Sequence, residues 1–172
     1  MDNTLPKLMA VHPLLFEGRR QPDGFLPPGW YGLAHELCNE IENVLGDQAP
    51  ALTIWTIKSK FGQLRVKVSL ALPEPPGEPL KPVVRAHAGS HSMTSEGPQP
   101  LSRAVEDLIA VAMERSTCLC LWCGAPSQLL LDGGWVYAAC PAHTKPDSIT
   151  VVEYERRSKA KLKSKQGDDD AD

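Results

Sequence analysis

The sequence predicts an α+β fold, in which two helices and a β-hairpin pack with a zinc module of the treble-clef or zinc-ribbon type. Two stretches, 29–45 and 101–116, carry apolar residues at helical spacing. A third stretch, 52–72, alternates apolar and polar residues as a half-buried strand does. Four of the five cysteines fall within residues 118–143, together with one histidine. Cysteines this dense in a reduced chain are typical of a metal site.

The first predicted helix has an apolar stripe at intervals of three and four residues. The stripe consists of Trp30, Leu33, Leu37, Ile41, Val44 and Leu45. Gly46 can end this helix, because glycine readily adopts the backbone conformation that follows a helix. The second helix has an equivalent stripe, and Ser102 can cap it. Glu36, Glu40 and Glu42 form a solvated face of the first helix or, alternatively, an acidic patch for a basic partner.

The hairpin is predicted over residues 52–72, with its turn at Phe61-Gly62-Gln63. Its second arm alternates polar residues with apolar ones, which are Leu64, Val66, Val68, Leu70 and Leu72. Basic side chains gather on the same hairpin, namely Lys58, Lys60, Arg65 and Lys67. They form either an ordinary wet sheet face or a patch that binds phosphate or carboxylate groups, with Phe61 available for stacking.

The metal site is predicted from the spacing of two ligand pairs. Cys120 and Cys123 are separated by two residues and followed by Gly124, which is the pattern of a zinc knuckle. Cys140 and His143 form the second pair, and together the four side chains make a Cys3His set that suits tetrahedral Zn²⁺. Because protein ligands fill all four positions, the ion is predicted to be structural and not catalytic.

Alternatives to this ligand set remain. Cys118 can compete for the ion, although only one residue separates it from Cys120, which is short for a knuckle. The cysteines could also be buried thiols or disulfide partners. Residues 1–10 show no basic segment followed by a long apolar run, so we expect a cytoplasmic chain with reduced thiols. Between the ligand pairs, 127–131 and 135–139 predict two strands joined by a tight turn.

Proline and glycine divide the chain into segments. Residues 1–28 are predicted to be an irregular N-terminal arm, because its prolines exclude a long helix. Residues 29–72 and 101–154 are predicted to form one compact domain, which contains the helices, the hairpin and the zinc module. Between them, residues 73–100 form a loop or insertion rich in proline, glycine and serine. Residues 155–172 are predicted to be a disordered charged tail, basic first and then acidic.

Composition argues against several classes of function. The net charge of -3 and the pI of about 5.9 argue against a protein whose whole surface binds DNA. No apolar run approaches the roughly 18 residues of a membrane span. We expect no enzyme, because no nucleophile–base pair is evident: His143 is assigned to the metal, and the other histidines lie in loops or alone.

Four pieces of the sequence together resemble a group of small zinc-binding proteins of bacteriophages, prophages and bacterial genomes. They are 29–31 with 36–42, 57–65 with its Lys-Phe-Gly-x-Leu-Arg motif, 114–116 with 120–126, and 134–135 with the Cys-x2-His pair at 140–143. The resemblance covers 29–72 and 101–143. It implies a zinc site at the four ligands, a phage or prophage setting inside a bacterial host cell, and an accessory role.

The sequence leaves two main functions open. The resemblance implies a non-enzymatic accessory protein that binds a host protein, such as a defence or nucleic-acid-processing factor, and modulates or inhibits it. Alternatively, the chain binds nucleic acid through the 58–67 hairpin, the basic tail and Trp122 of the knuckle. An enzyme with a zinc-stapled core is a weaker third possibility. The first helix and the hairpin could equally form the face of a homodimer.

Overall fold

The computed structural model describes residues 2–17, 20–71 and 100–169, and for 161–169 it describes the backbone alone. Within these ranges, five helices and two small antiparallel sheets confirm the predicted α+β class. The helices are α1 (Leu5–Val11), α2 (Pro13–Phe16), α3 (Tyr31–Leu45), α4 (Pro100–Ser116) and α5 (Val151–Asp169). The strands are β1 (Leu52–Lys60), β2 (Gln63–Leu70), β3 (Gln128–Asp132), β4 (Trp135–Ala139) and β5 (Ile149–Thr150). Short 3-10 turns occupy Pro28–Trp30, Gly46–Ala51 and Pro141–His143. The predicted loop at 73–100 lies outside the described residues, except for its last position.

Helix α3 forms where it was predicted and packs on α4. The buried members of its stripe include Leu33, Leu37 and Ile41. On the exposed side of this contact, Arg115 donates two hydrogen bonds to the carboxylate of Glu36, at 3.0 and 2.9 Å. These hydrogen bonds lower the pKa of the Glu36 carboxyl from its ordinary value. One member of the predicted acidic face therefore binds within the chain.

The hairpin has a tighter turn than the sequence predicted. Lys60 pairs with Gln63, so the turn contains Phe61 and Gly62 alone. Both residues have positive φ, 54° and 71°, as a two-residue type I′ turn requires. On the inner face the buried side chains of the second strand are Leu64, Val66 and Val68. Strand β3 lies between β4 and β5 in the second, three-stranded sheet.

The N-terminal segment contains helices where the sequence predicted an irregular arm. Helices α1 and α2 each have a proline in the first turn, Pro6 and Pro13. A proline is tolerated there because the first N–H groups of a helix have no partner within the helix. Prolines at these positions are therefore compatible with short helices. We call residues 4–17 the α1–α2 pair; it contacts α3 and β1 and buries Leu8, Leu15 and Phe16.

The charged tail is helical up to residue 169, where the sequence predicted disorder from 155 onward. Thr150 Oγ1 accepts a hydrogen bond from the Glu153 N–H at 3.1 Å, which caps α5. Glu153 also forms ion pairs with Arg156 and Arg157, at 2.8 and 2.7 Å. Pairs three and four residues apart stabilise a helix, so the charge pattern that suggested a solvated tail also suits a helix. None of the helices described here is both long and apolar enough to cross a membrane.

Candidate metal centre and basic hairpin

Two backbone turns bring the four predicted ligands together. In the first turn, the N–H of Cys120 bonds to the Ala125 carbonyl at 2.8 Å, and the N–H of Gly124 bonds to the Cys120 carbonyl at 2.9 Å. Gly124 has a φ of 72°, which explains the glycine after the second cysteine of the knuckle. In the second turn, just after β4, the N–H of His143 bonds to the Cys140 carbonyl at 2.9 Å.

The ligand atoms of Cys120, Cys123, Cys140 and His143 all lie within 4.8 Å of one another and could hold a metal ion. The imidazole Nδ1 is 3.5, 3.6 and 3.2 Å from the three sulfurs, taken in chain order. The sulfurs of Cys123 and Cys140 are 3.7 Å apart. Cys118, the competing ligand, is exposed and lies outside the group. No other group of this kind occurs among residues 2–17, 20–71 and 100–160.

Backbone N–H groups stabilise the thiolate of Cys120. Burial raises the pKa of this thiol, but hydrogen bonds from the backbone of Cys140, Cys123 and Trp122 together outweigh burial and lower the pKa to about 7. At Cys123, the backbone of Ala125 lowers the pKa, while burial and the neighbouring cysteine side chains raise it by more. A larger share of the Cys120 thiol, about half of it near pH 7, is therefore in the thiolate form that binds metal.

Trp122, a predicted partner-binding residue, is half-buried beside the ligands. Its ring stacks on the imidazole of His143, with centroids 5.5 Å apart and planes 10° apart. The same ring meets Tyr137 edge-on at 5.8 Å. These contacts restrict the orientation of the His143 ring, as neighbours of metal ligands commonly do. A partner role for Trp122 stays a prediction.

The Gly29-Trp30 pair contacts the knuckle from outside the cysteine-rich segment. The N–H of Gly29 bonds to the Leu121 carbonyl at 2.9 Å, and a Cβ at this glycine would lie 2.0 Å from the Cys120 carbonyl oxygen. Trp30 is fully buried, and its Nε1 donates to the Leu119 carbonyl at 2.8 Å. From the sequence these two residues were assigned to the start of the first helix, and their contact with the knuckle was not predicted.

The hairpin turn contacts the module from another side, and the end of α4, just before the module, bonds to β2. A Cβ at Gly62 would lie 2.6 Å from Leu129 Cδ2 and 3.2 Å from the backbone of Tyr137. The N–H of Leu64 bonds at 2.8 Å to Oγ of Ser116, a fully buried residue. That hydroxyl donates in turn to a carbonyl one turn earlier in α4, at 2.6 Å. Neither contact was predicted, because each joins residues far apart in the sequence.

The predicted basic residues share the outer face of the hairpin, which we call the basic face: Lys58, Lys60, Arg65 and Lys67. Lys58 lies directly opposite Arg65. Like charges in this position destabilise a sheet unless something neutralises them. Within the described part of the chain, none of the four forms an ion pair. Trp55, which was not among the predicted site residues, is 44% exposed and donates its Nε1 to Ser69 Oγ at 2.9 Å.

Phe61 occupies the tip of the basic face. Its side chain is 66% exposed, and its φ of 54° is unusual for a bulky residue. The ammonium group of Lys60 lies 5.1 Å from the centre of the ring. The backbone of Asp23 lies beside this part of the hairpin, because it forms a β-bridge with Thr56.

A second polar cluster joins the α1–α2 pair to α3. The Nδ1 atom of His12 lies 3.0 Å from Glu42 Oε2, and its Nε2 atom lies 2.7 Å from Nδ1 of His35. The prediction that the histidines outside the metal site lie in loops or alone is therefore wrong for these two. Their separation along the sequence gave no sign of the contact.

No protein-family model, curated protein or solved structure matches this chain. The similarity to small phage and prophage proteins stays a prediction from the sequence motifs. Function has therefore to be inferred from the chemistry of the described residues.

Proposed function

We propose that the Cys3His group binds one structural Zn²⁺ ion. Zinc–sulfur bonds of about 2.3 Å and zinc–nitrogen bonds of about 2.0–2.1 Å place tetrahedral sulfurs about 3.8 Å apart, and sulfur and nitrogen about 3.6 Å apart. The Cys123–Cys140 separation of 3.7 Å supports this assignment, as do the separations of 3.5 and 3.6 Å from His143 to Cys120 and Cys123. The 3.2 Å from His143 to Cys140 is shorter. Three thiol donors favour zinc over the harder cations Mg²⁺ and Ca²⁺.

The proposed ion is structural because the protein supplies every ligand. A tetrahedral Cys3His site leaves no position for a water molecule or a substrate. A bound ion would join the turn that contains Cys120 and Cys123 to the turn that contains Cys140 and His143. The bacterial cytoplasm that the resemblance implies keeps thiols reduced and so suits this site.

We infer that the zinc-stabilised domain is a binding protein without catalytic activity, and that the basic face contacts single-stranded nucleic acid. The observation that carries this inference is the placement of four basic side chains on one sheet face, without an ion pair to any described residue. A phosphate close to both Lys58 and Arg65 would neutralise their mutual repulsion. Binding would therefore remove a cost that the free protein bears.

Two aromatic side chains favour a single strand over a duplex. Trp55 and Phe61 are 44% and 66% exposed along the same hairpin as the basic face. Exposed bases of a single strand can stack on such rings, at roughly 1–3 kcal/mol per base. Bases within a duplex are already stacked on each other and do not offer their faces. The left-handed backbone of Phe61 costs about 1–2 kcal/mol, which is consistent with a functional demand for this side chain.

The charge of the rest of the chain restricts where nucleic acid would bind. The net charge is -3, so the basic face is a local feature and not part of a generally basic surface. In the tail helix, Arg156 and Arg157 already form ion pairs with Glu153. The hairpin therefore offers the better phosphate-binding surface among the residues whose side chains are described.

A host protein is the second candidate partner, as the resemblance implies. The observation that favours it is a set of exposed apolar side chains in the C-terminal part of the chain. Trp135 is 80% exposed, Val152 is 77% exposed and Tyr154 is 50% exposed. Large apolar side chains with this much exposure are candidate contacts for a protein partner. An accessory protein that modulates a host factor could use this surface.

Fluorescence anisotropy with labelled single-stranded and duplex oligonucleotides tests the nucleic-acid proposal. We expect tighter binding of the single strand, with affinity that falls steeply between roughly 50 and 200 mM salt. The double variant Lys58→Glu, Arg65→Glu should lower affinity more than tenfold and reduce the salt slope by about 2. Arg103→Glu, Lys159→Glu makes the same charge change on α4 and α5 and should bind almost as well as the wild type. Equal losses in the two double variants would contradict a role for the basic face.

An affinity pull-down from bacterial lysate, with and without nuclease, separates the two candidates. Nucleic acid that co-elutes and disappears with nuclease treatment supports the basic face. A stoichiometric protein that survives nuclease supports the host-protein function. If that protein is lost from Trp135→Ser and retained by the basic-face variant, Trp135 belongs to its binding site.

A further inference from the structure

His12, His35 and Glu42 form a continuous row of hydrogen bonds between the α1–α2 pair and α3. His12 lies between α1 and α2 and is 1% exposed. One nitrogen of its ring faces Glu42 Oε2 at 3.0 Å, and the other faces Nδ1 of His35 at 2.7 Å. The remaining nitrogen of His35 lies 3.5 Å from Nδ2 of Asn39. The row thus runs from a partly buried carboxylate to a half-exposed imidazole.

Both rings can be neutral in this row with every donor facing an acceptor. The Nδ1–H of His12 then donates to Glu42, and its Nε2 accepts from the Nδ1–H of His35. The Nε2 of His35 in turn faces the side-chain amide of Asn39. The row can also hold one added proton on His12. The Nε2–H of the charged His12 then donates to Nδ1 of a neutral His35. A second added proton is not tolerated, because two N–H groups would point at each other across 2.7 Å.

We propose that this row is a pH-sensitive latch, which holds the α1–α2 pair on α3 and weakens when both imidazoles are protonated. While the α1–α2 pair is docked, His12 and His35 can together bind one proton fewer than two separated imidazoles. By linkage, docking strengthens as the pH rises through the range where free imidazoles lose their protons, around pH 6.5. Below that range, the equilibrium constant for docking falls by up to about tenfold for each unit by which the pH is lowered.

The surrounding groups do not remove this conflict between the two rings. On α3, the Glu42 carboxylate can balance one added proton but not two. The Cys38 thiol beside it stays neutral, since burial, followed by the Glu42 charge, raises its pKa to about 12. Tyr31 stacks on His35 with ring centroids 6.1 Å apart, and the ammonium group of Lys7 in α1 lies 4.6 Å from the centre of the Tyr31 ring. This cation opposes a second positive charge on the row. Neither β1 nor Gly46–Ala51 gives either ring a hydrogen bond within the described residues.

The latch controls access to apolar surface. The α1–α2 pair covers α3 with buried side chains that include Leu8, Leu15 and Phe16. Its other end stays tied by the hydrogen bond from the Thr4 N–H to the Leu26 carbonyl, at 3.0 Å, which does not depend on any histidine. Mild acid is therefore expected to loosen the pair around His12 before it affects the metal centre or the basic face.

Amide hydrogen exchange of the full zinc-loaded chain at about pH 7.5 and about pH 5.5 tests the latch. After correction for the intrinsic effect of pH, protection of residues 5–16 should fall about tenfold relative to β1 and β2. Bound zinc is measured in the same samples, and peptides from 118–143 report on the metal centre. No fall in residues 5–16, or an equal fall in every peptide, overturns the proposal.

Two variants separate a latch from a merely structural contact. Glutamine at position 35 can bond to His12 in either protonation state, so His35→Gln should fold and lose most of the pH effect. Asn39→Ala leaves the two imidazoles in place and should keep the wild-type pH effect. The proposal is also overturned if His35→Gln shows the full wild-type response.

Discussion

The metal ligands lie close together in the sequence, whereas the contacts that hold the metal centre in place come from distant parts of it. All four ligands lie within residues 120–143, at spacings that a short turn can close. The contacts that attach this segment to the rest of the domain come from Gly29 and Gly62, while Ser116 joins α4, which leads into the segment, to β2. We call these three the docking contacts. They lie before α3, in the hairpin turn and at the end of α4. The ligands therefore determine the local fold of the module, and distant backbone segments determine where it sits.

The two sets are expected to differ in strength as well as in origin. A structural zinc ion contributes on the order of 10–16 kcal/mol to small zinc domains. A buried hydrogen bond or a tight backbone contact contributes roughly 1–3 kcal/mol. Loss of a ligand should therefore unfold the module, whereas loss of one docking contact should leave the metal bound and the domain less stable.

The largest effect is expected from Cys123→Ser. This change removes one of four ligands, so bound zinc should fall well below one ion per chain and the thermal transition of the module should be lost. Zinc content by atomic absorption and thermal melting by circular dichroism measure the two effects. Cys118→Ser is the matched control, since Cys118 is exposed and outside the ligand group. Full zinc and an unchanged melting curve in Cys123→Ser would falsify the assignment.

The next largest effect is expected from Gly29→Ala. Its Cβ would lie 2.0 Å from the carbonyl oxygen of Cys120, so the backbones must move apart. We expect a loss of about 3 kcal/mol in the free energy of unfolding, with zinc still bound, as measured by urea denaturation. Gly32→Ala is the control, because a Cβ at Gly32 in α3 meets nothing within 4 Å. That control should gain about 0.5–1 kcal/mol in the free energy of unfolding, and similar losses in both variants would contradict a tight contact between Gly29 and Cys120.

The same difference between nearby and distant residues decides which parts of the fold and of the metal centre could be predicted from the sequence. Helix α3, the hairpin and the four ligands follow from apolar periodicity and from short cysteine spacing, which depend on neighbours in the chain. The bond from Leu64 to Ser116 joins residues on separate elements, and no periodicity records it. The row from His12 through His35 was missed for the same reason. Helix α5 was missed because alternating charges suit both a solvated tail and a helix with ion pairs.

A smaller effect is expected from Ser116→Ala. The change leaves the buried N–H of Leu64 without its partner, which should lower the free energy of unfolding by about 1–3 kcal/mol. Chemical denaturation measures the loss, and zinc content should stay at one ion per chain. The matched control is Thr117→Ala, whose exposed hydroxyl also donates to a carbonyl three residues earlier, at 2.7 Å. Exposed substitutions usually change stability by less than about 0.5 kcal/mol. Equal effects in the two variants would mean that Ser116 does not connect β2 to α4.

The smallest effect on stability, with the opposite sign, is expected from Phe61→Asn. Asparagine tolerates positive φ better than phenylalanine, and Asn-Gly is the preferred pair for a type I′ turn. The neighbouring Gly62 keeps its contact with Leu129, so the variant should gain up to about 1 kcal/mol in chemical denaturation. Loss of the exposed ring should at the same time weaken single-strand binding in the anisotropy assay by about fivefold or more. A more stable protein with weaker binding would mean that the hairpin tip is kept strained for contact with a partner. A less stable protein would mean that Phe61 packs within the domain, and unchanged binding would remove it from the proposed nucleic-acid surface.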